Sequence, residues 1–312
     1  MICRVDQGLL EFFRTVYVPE SLGISPGTIE QHEITIRLFS RWLDRPALVS
    51  DLTRERMLGF LSWFSTQRAP STVNSKRSKL LALANMAWGI DLLVEQPRRV
   101  VRIRQPRRLP TAWSIEELAQ LWRSITSLAG AYRIDATKLI PRSLAWSVAY
   151  SICLDTAIRR GTLLKARLDQ VDPVRRLLVV PAEQIKGQAG DRVFPLSQAT
   201  VDLVLKRAHY GGRMLFPFPF GLTALGKHYK AILRRAGLPC GRERMLHCLR
   251  RTIETHAAAR LGVDVVAAIV GHRPEVARRS YIDPRIMAPQ SICDVLPLPM
   301  IEQSQQLRLF EA

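Results

Sequence analysis

The sequence predicts a mainly α-helical protein of two domains, the first all-helical and the second α+β with a small antiparallel sheet. Three observations lead there. Apolar residues recur at helical spacing through residues 1–96. A stretch rich in proline and arginine, with no acidic residue, interrupts that pattern from Pro97 to Pro110. Farther on, two short runs of strand-forming residues, Leu177-Leu178-Val179-Val180 and Arg192-Val193-Phe194-Pro195, flank the turn-like Lys186-Gly187-Gln188-Ala189-Gly190.

In the first domain, residues 1–96, Leu9, Leu10, Phe12 and Phe13 begin a short helix that Ser25-Pro26-Gly27 punctuates. A second helix starts from Thr28 and carries Ile29, Ile36, Phe39, Trp42 and Leu43. Asp51 or Thr53 caps a third, with Met57, Phe60, Leu61 and Phe64 on its apolar side. Ser71 caps a fourth, which runs through Leu80, Leu83 and Met86 to Trp88. Trp42, Trp63 and Trp88 could stack on nucleic-acid bases, but their helical register assigns them to the core. Asn74, Lys76, Arg77 and Lys79 either face a nucleic-acid groove or form an ordinary solvated helix face.

Residues 97–113 are the linker. Arg98, Arg99, Arg102, Arg104, Arg107 and Arg108 make it basic, and Pro97, Pro106 and Pro110 favour an extended path. An extended basic strap tracks phosphates, and Arg102, Arg104, Arg107 and Arg108 are its contact candidates. The bland alternative is a linker kept soluble by its charge. The second domain, residues 114–312, opens with the capping box Ser114-x-x-Glu117 ahead of Leu118 and Leu121. Leu144 to Ala157 reads as a buried helix, followed by the two strands and by helices after Ser197. Pro289, Pro297 and Pro299 break a tail that ends on Leu307, Leu309 and Phe310.

Composition narrows the class of function. With 312 residues, 47% of them hydrophobic, the chain can bury two cores and is not a disordered one. A net charge of +19 calls for a polyanionic partner. Nucleic acid is favoured over a membrane surface, because no apolar span of membrane length occurs. Cys3, Cys153, Cys240, Cys248 and Cys293 are odd in number and form no Cys-x-x-Cys, so neither a disulfide framework nor a zinc site is expected. No signal-peptide pattern follows Met1-Ile2-Cys3-Arg4-Val5-Asp6, and the expected location is the cytoplasm.

Chemistry concentrates near the C-terminus. His247 and Arg250, three apart, share a helix face, and Arg251 is close to the same face. Gly271-His272 places its histidine 22 residues after Arg250, and Tyr281 follows nine residues later. Upstream lies Thr156-Ala157-Ile158-Arg159-Arg160-Gly161. Each motif alone is an ordinary cap, packed aromatic or polar helix face. Together, arginines and histidines that converge make an anion site, and a tyrosine joining them can be a nucleophile.

Arg159, Lys186, His247-x-x-Arg250, His272 and Tyr281, in that chain order, resemble the tyrosine recombinase (phage integrase) family in its two-domain, Xer-like form. The N-terminal helices resemble that family's four-helix (SAM-like) core-binding domain, and the C-terminal part its catalytic domain. The resemblance implies that Arg159 and Arg250 hold a scissile phosphate and that His272 adds a hydrogen bond. Tyr281 would attack phosphorus to give a 3′-phosphotyrosine, His247 would take its proton, and Lys186 would protonate the leaving 5′-oxygen. It further implies double-stranded DNA as partner, a homotetramer on two DNA sites, and no metal, ATP or other cofactor. A directionality factor or a partner recombinase can join such systems. Two departures stand out. Ala157-Ile158 replaces the usual Gly-Leu before the arginine, which leaves Arg160 beside Arg159 as the alternative ligand. Thr162 stands where an acid is usual; a hydroxyl still hydrogen-bonds but brings no charge, so either activity is lower or another acid substitutes. The tail would dock either on a neighbouring subunit or in cis. The rival functions are a type IB topoisomerase-like relaxase and a DNA-binding relative without catalysis.

Overall fold

A computed structural model describes residues 7–106, 108–185, 190–271 and 273–287. The fold is mainly helical with small antiparallel sheets, and the chain divides into two compact units, Met1–Arg107 and Arg108–Ala312.

In the N-terminal unit, α1 (Leu9–Phe12) passes through a π turn (Phe13–Tyr17) into α2 (Val18–Glu20). The helix α3 (Pro26–Trp42) is capped by Ser25, whose hydroxyl accepts the Thr28 N–H at 3.2 Å. It starts two residues before the expected Thr28, because proline's fixed φ and missing N–H suit the first helical position. Thr53 caps α4 (Arg54–Ser65) by accepting the Arg56 N–H at 3.2 Å. Asp51, the other capping candidate, is buried in a bidentate pair with Arg45 at 2.7 and 2.6 Å and also meets Arg56. Proline again opens α5 (Pro70–Gly89), one residue before the expected cap Ser71. Leu9, Phe12, Phe39, Phe60, Leu80 and Leu83 fill the core between these helices. Trp42 and Trp63 pack on that core, whereas Trp88 is 42% exposed, which corrects its assignment to the interior. Gly59 sits inside α4 because a Cβ there would come within 2.9 Å of the Trp42 indole.

Beyond α5 the described chain has no helix or strand until Ser114. Its first part lies back on its own unit: Val100 is buried and Ile103 touches the core. Backbone groups in such a run have no ladder partner and need side chains instead. Asn74 supplies one, donating from Nδ2 to the Ile103 carbonyl at 2.9 Å and accepting its N–H on Oδ1 at 3.0 Å. The Nε of Arg77 donates to the Val100 carbonyl at 2.7 Å.

In the C-terminal unit, α6 (Ile115–Thr126) begins with the expected capping box, Glu117 N–H to Ser114 Oγ at 3.2 Å and Ser114 N–H to Glu117 Oε2 at 2.8 Å. A hairpin absent from the sequence reading follows, β1 (Ala131–Arg133) against β2 (Leu139–Pro141). Asp135 shapes its turn by accepting the N–H groups of Thr137 and Lys138, both at 2.9 Å. The central helix α7 (Arg142–Thr156) is buried along most of its length and packs against α6, α9 (Gln198–Ala208), α11 (His247–Leu261) and β5 (Arg192–Pro195). A single turn, α8 (Arg160–Leu163), comes next. The sheet is antiparallel in the order β3 (Val171–Asp172), β4 (Leu177–Val180), β5, with Leu177 opposite Pro195 and Val180 opposite Arg192. Both longer strands have the expected bounds, while the two-residue β3 is an addition to the sequence reading. The unit continues with α10 (Leu222–Arg235), α11, α12 (Val263–Val270) and α13 (Pro274–Ser280). Among the described residues no helix is long and apolar enough to cross a membrane.

Candidate active site

The end of α7 sets the first wall of the site. Its C-cap, Ala157, takes the left-handed conformation at φ 49°, which normally favours glycine. The chain then turns so that Arg159 lies ahead of α8 and lines a small pocket with Thr162, Arg192, Phe194, Arg250 and Val270. Arg160 is exposed and does not line it. Thr162 is buried, and its hydroxyl donates to the Gln184 carbonyl at 2.9 Å, tying α8 to the chain that leads out of β4.

The helix α11 supplies the second wall. Arg250 is 4% exposed. Its Nη1 donates to the Ala157 carbonyl at 2.5 Å, its Nη2 to the Val270 carbonyl at 3.4 Å, and its Nε pairs with Glu254 at 2.9 Å. Burial lowers its pKa, and the Glu254 carboxylate pushes it back up. Tyr281 lies against the guanidinium, with Arg250 Cζ 5.4 Å from the ring centroid. The imidazole of His247 meets the same phenol edge-on, centroids 5.4 Å apart. His247 as a residue is exposed. Even so, its pKa falls to about 4, through loss of hydration first and then through Arg251, Arg250, Arg159 and Arg160. The ring is therefore neutral at neutral pH.

Tyr281 is fixed from behind. Thr255 Oγ1 donates to the Tyr281 carbonyl at 3.1 Å and accepts the Asp283 N–H at 3.0 Å. Asp283, itself buried, accepts the Ala112 N–H at 3.1 Å and two bonds from Arg285 at 2.8 Å. Opposite, Arg192 donates to the Val270 carbonyl at 2.5 Å. Its pKa is lowered by burial and then by Arg159. Gly271 ends α12 at φ 75°, where a Cβ would collide with the Arg192 guanidinium. Both the backbone conformation and the nearness of that guanidinium favour glycine there.

The structure thus brings Arg159, His247, Arg250 and Tyr281 together in one unit. Lys186 and His272 lie outside the described residues, as do Arg107 and the tail from residue 288. Two residues that sequence reasoning missed belong to the site. Arg192 shares strand parity with the inward-facing Phe194, a signal that period-two reading could have used. Glu254 is four residues from Arg250 and seven from His247, on the same helix face.

The other sequence candidates are placed differently. Asn74 and Lys76 are buried, at 9% and 5% exposure, which corrects the expectation of an outward helix face for them. Asn74 is turned to the Ile103 backbone, and Arg77 uses its Nε on Val100. The Lys76 pKa is lowered by burial and then by Lys79. Arg102, Arg104 and Arg108 are exposed. Among the described residues no group of three His, Cys, Asp or Glu side chains could hold a metal ion.

No protein-family model and no curated protein matches the sequence. Solved structures do match in fold. A lambda integrase tetramer bound to a Holliday junction aligns at 15% identity over 92% of this chain and 80% of that one, TM-score 0.69. A lambda integrase dimer bound to a COC′ core site aligns at 15% identity over 95% and 79%, TM-score 0.68. The Tn1549 transposon integrase in complex with transposon right-end DNA aligns at 13% identity over 98% and 100%, TM-score 0.67. The chain has the fold of these integrases.

Proposed function

We propose that this protein is a tyrosine site-specific recombinase, which cleaves and rejoins double-stranded DNA through a 3′-phosphotyrosine at Tyr281. The observation that carries the reading is the contact set of Tyr281, with the Arg250 guanidinium on its ring and the neutral His247 at its edge. A phenol is protonated near neutral pH and needs a base as it attacks. His247 takes that proton as the Oη–P bond forms and the P–O5′ bond breaks. Arg159 and Arg250 receive the non-bridging oxygens, whose charge grows in the transition state. By resemblance, His272 adds a bond to the phosphate and Lys186 protonates the departing 5′-oxygen. Reversal of the same steps by a new 5′-hydroxyl reseals the strand. The phosphotyrosine stores the energy of the broken bond, so rejoining requires no ATP.

The fold shared with DNA-bound integrases supports the substrate class. By that likeness the N-terminal unit acts as a SAM-like core-binding clamp, and a homotetramer assembles on two DNA sites. The exposed Arg102, Arg104 and Arg108 suit phosphate contacts of the intervening chain.

The test is a nicked duplex whose short 5′ fragment diffuses away after cleavage. Wild-type protein becomes trapped on the 3′-phosphate and shifts on a denaturing gel. Tyr281→Phe removes one oxygen, keeps the ring, still binds DNA and gives no adduct. An adduct mapped to any other residue refutes the nucleophile. Binding without any adduct in the wild type leaves a DNA-binding relative without catalysis.

A further inference from the structure

The carboxylate of Glu254 is fully buried against the Arg250 guanidinium. Its exposure is 0%, and it pairs at 2.9 Å with the Nε of Arg250, whose exposure is also close to zero. A buried carboxylate is costly unless a cation and hydrogen bonds compensate it. A helix that only needed to pack would place an apolar residue at this position. The surroundings make the charge useful. Arg159, Arg192 and Arg250 line one pocket, with Arg159 acting electrostatically on both of the others. Thr162, the polar residue on the Arg159 side, is neutral and directs its hydroxyl to the Gln184 carbonyl.

The geometry shows what Glu254 does to Arg250. It meets the guanidinium at Nε, while the Ala157 and Val270 carbonyls meet it at Nη1 and Nη2. The two hydrogen bonds fix the plane of the fork, and the ion pair with Glu254 holds its Nε edge. Both carbonyls belong to helix ends, α7 and α12, which carry partial negative charge. The carboxylate adds a full charge on the side of the fork toward the helix stem.

We propose that Glu254 is the positioning residue of Arg250: its carboxylate orients the guanidinium for the scissile phosphate and supplies the negative charge that Thr162 does not. Glu254 acts through Arg250, and the inference rests on the recombinase reading above.

The test is single-turnover cleavage of the nicked trapping duplex by Glu254→Gln and Glu254→Asp, with duplex affinity and melting temperature measured alongside. Gln preserves shape and removes the charge. Asp preserves the charge and draws it back by one methylene. We expect the Gln variant to cleave roughly 10- to 100-fold more slowly, the size of loss typical when an orienting partner is removed. The Asp variant should fall between Gln and wild type, and duplex affinity should stay within about threefold for both. A buried residue of purely structural worth would instead lower melting and affinity together with cleavage. Cleavage by the Gln variant within about threefold of wild type, or an Asp variant slower than Gln, overturns the proposal. If the Gln variant does not fold, the Asp variant decides alone: it must cleave several-fold more slowly at unchanged affinity. If wild-type protein forms no adduct, the recombinase reading itself fails, and this inference with it.

Discussion

Gly271→Ala tests whether the end of α12 and the pocket arginines form one unit. Gly271 sits at φ 75°, a left-handed conformation that costs a residue with a Cβ ~1–2 kcal/mol. The added methyl would also overlap the Arg192 guanidinium. That guanidinium is the end of a flexible chain and would give way, losing its bond to the Val270 carbonyl. A hydrogen bond from a charged group contributes ~1.5–3 kcal/mol. The sum is ~2.5–5 kcal/mol for Gly271→Ala and ~1.5–3 for Arg192→Ala. With Arg192 already shortened, Gly271→Ala retains only its backbone part, ~1–2 kcal/mol. The double-mutant cycle should therefore show a coupling of ~1.5–3 kcal/mol. Unfolding of the C-terminal unit is read from urea titration with hydrogen exchange of α7 peptides, which separates it from unfolding of the N-terminal unit. Additive losses, within about 0.5 kcal/mol, would refute the contact between Gly271 and Arg192.

Two further outcomes are expected. Replacing Arg102, Arg104 and Arg108 together by Gln should flatten the slope of log affinity against log salt by up to ~3 units, and an unchanged slope would detach the linker from the phosphates. His32 has its pKa lowered from 6.5 to about 4, by burial first and then by Lys79 and Lys76. As pH falls below 6.5 the unfolded chain takes the proton first, so the N-terminal unit loses up to ~3 kcal/mol between pH 6.5 and 4 and no more below that. His32→Phe keeps a ring against Phe13 and should remove most of this acid loss, which urea titrations at pH 7 and pH 4 would measure.

Local chemistry was legible in the sequence; long-range geometry was not. The Ser114–Glu117 box and the Thr53 cap act within one helical turn, so four residues suffice to read them. The strands at Leu177 and Arg192 carry enough β-branched and aromatic residues to declare themselves. The hairpin at Ala131 and Leu139 has three residues per strand and a turn made by Asp135, too short for any period to show. Asn74 looked like a surface residue because its partner, Ile103, is 29 positions away on a segment with no pattern of its own. Ala157 concealed its left-handed turn because it lacks the glycine that would signal one. Arg192 and Glu254 obeyed visible periods, two and four, but a period says which residues share a face and not what that face surrounds.

In the proposed reaction a histidine with so low a pKa has to serve as a base, and the charges around it bear on how it does so. With its pKa at about 4, His247 is neutral but a weak proton acceptor. Hydration lost around the ring is one cause, and repulsion by Arg251, Arg250, Arg159 and Arg160 is the rest. A bound phosphate would bring a negative charge among these same arginines. Two unit charges 4 Å apart interact by about 4 kcal/mol at an effective dielectric of 20, so one phosphate can offset much of that repulsion. On the proposed mechanism the imidazole then becomes a stronger base when Tyr281 has a phosphorus to attack. At Arg250 the charge works the other way, the Glu254 carboxylate raising a pKa that burial lowers. In the proposed reaction the substrate's own charge thus offsets the repulsion among the cations of the site.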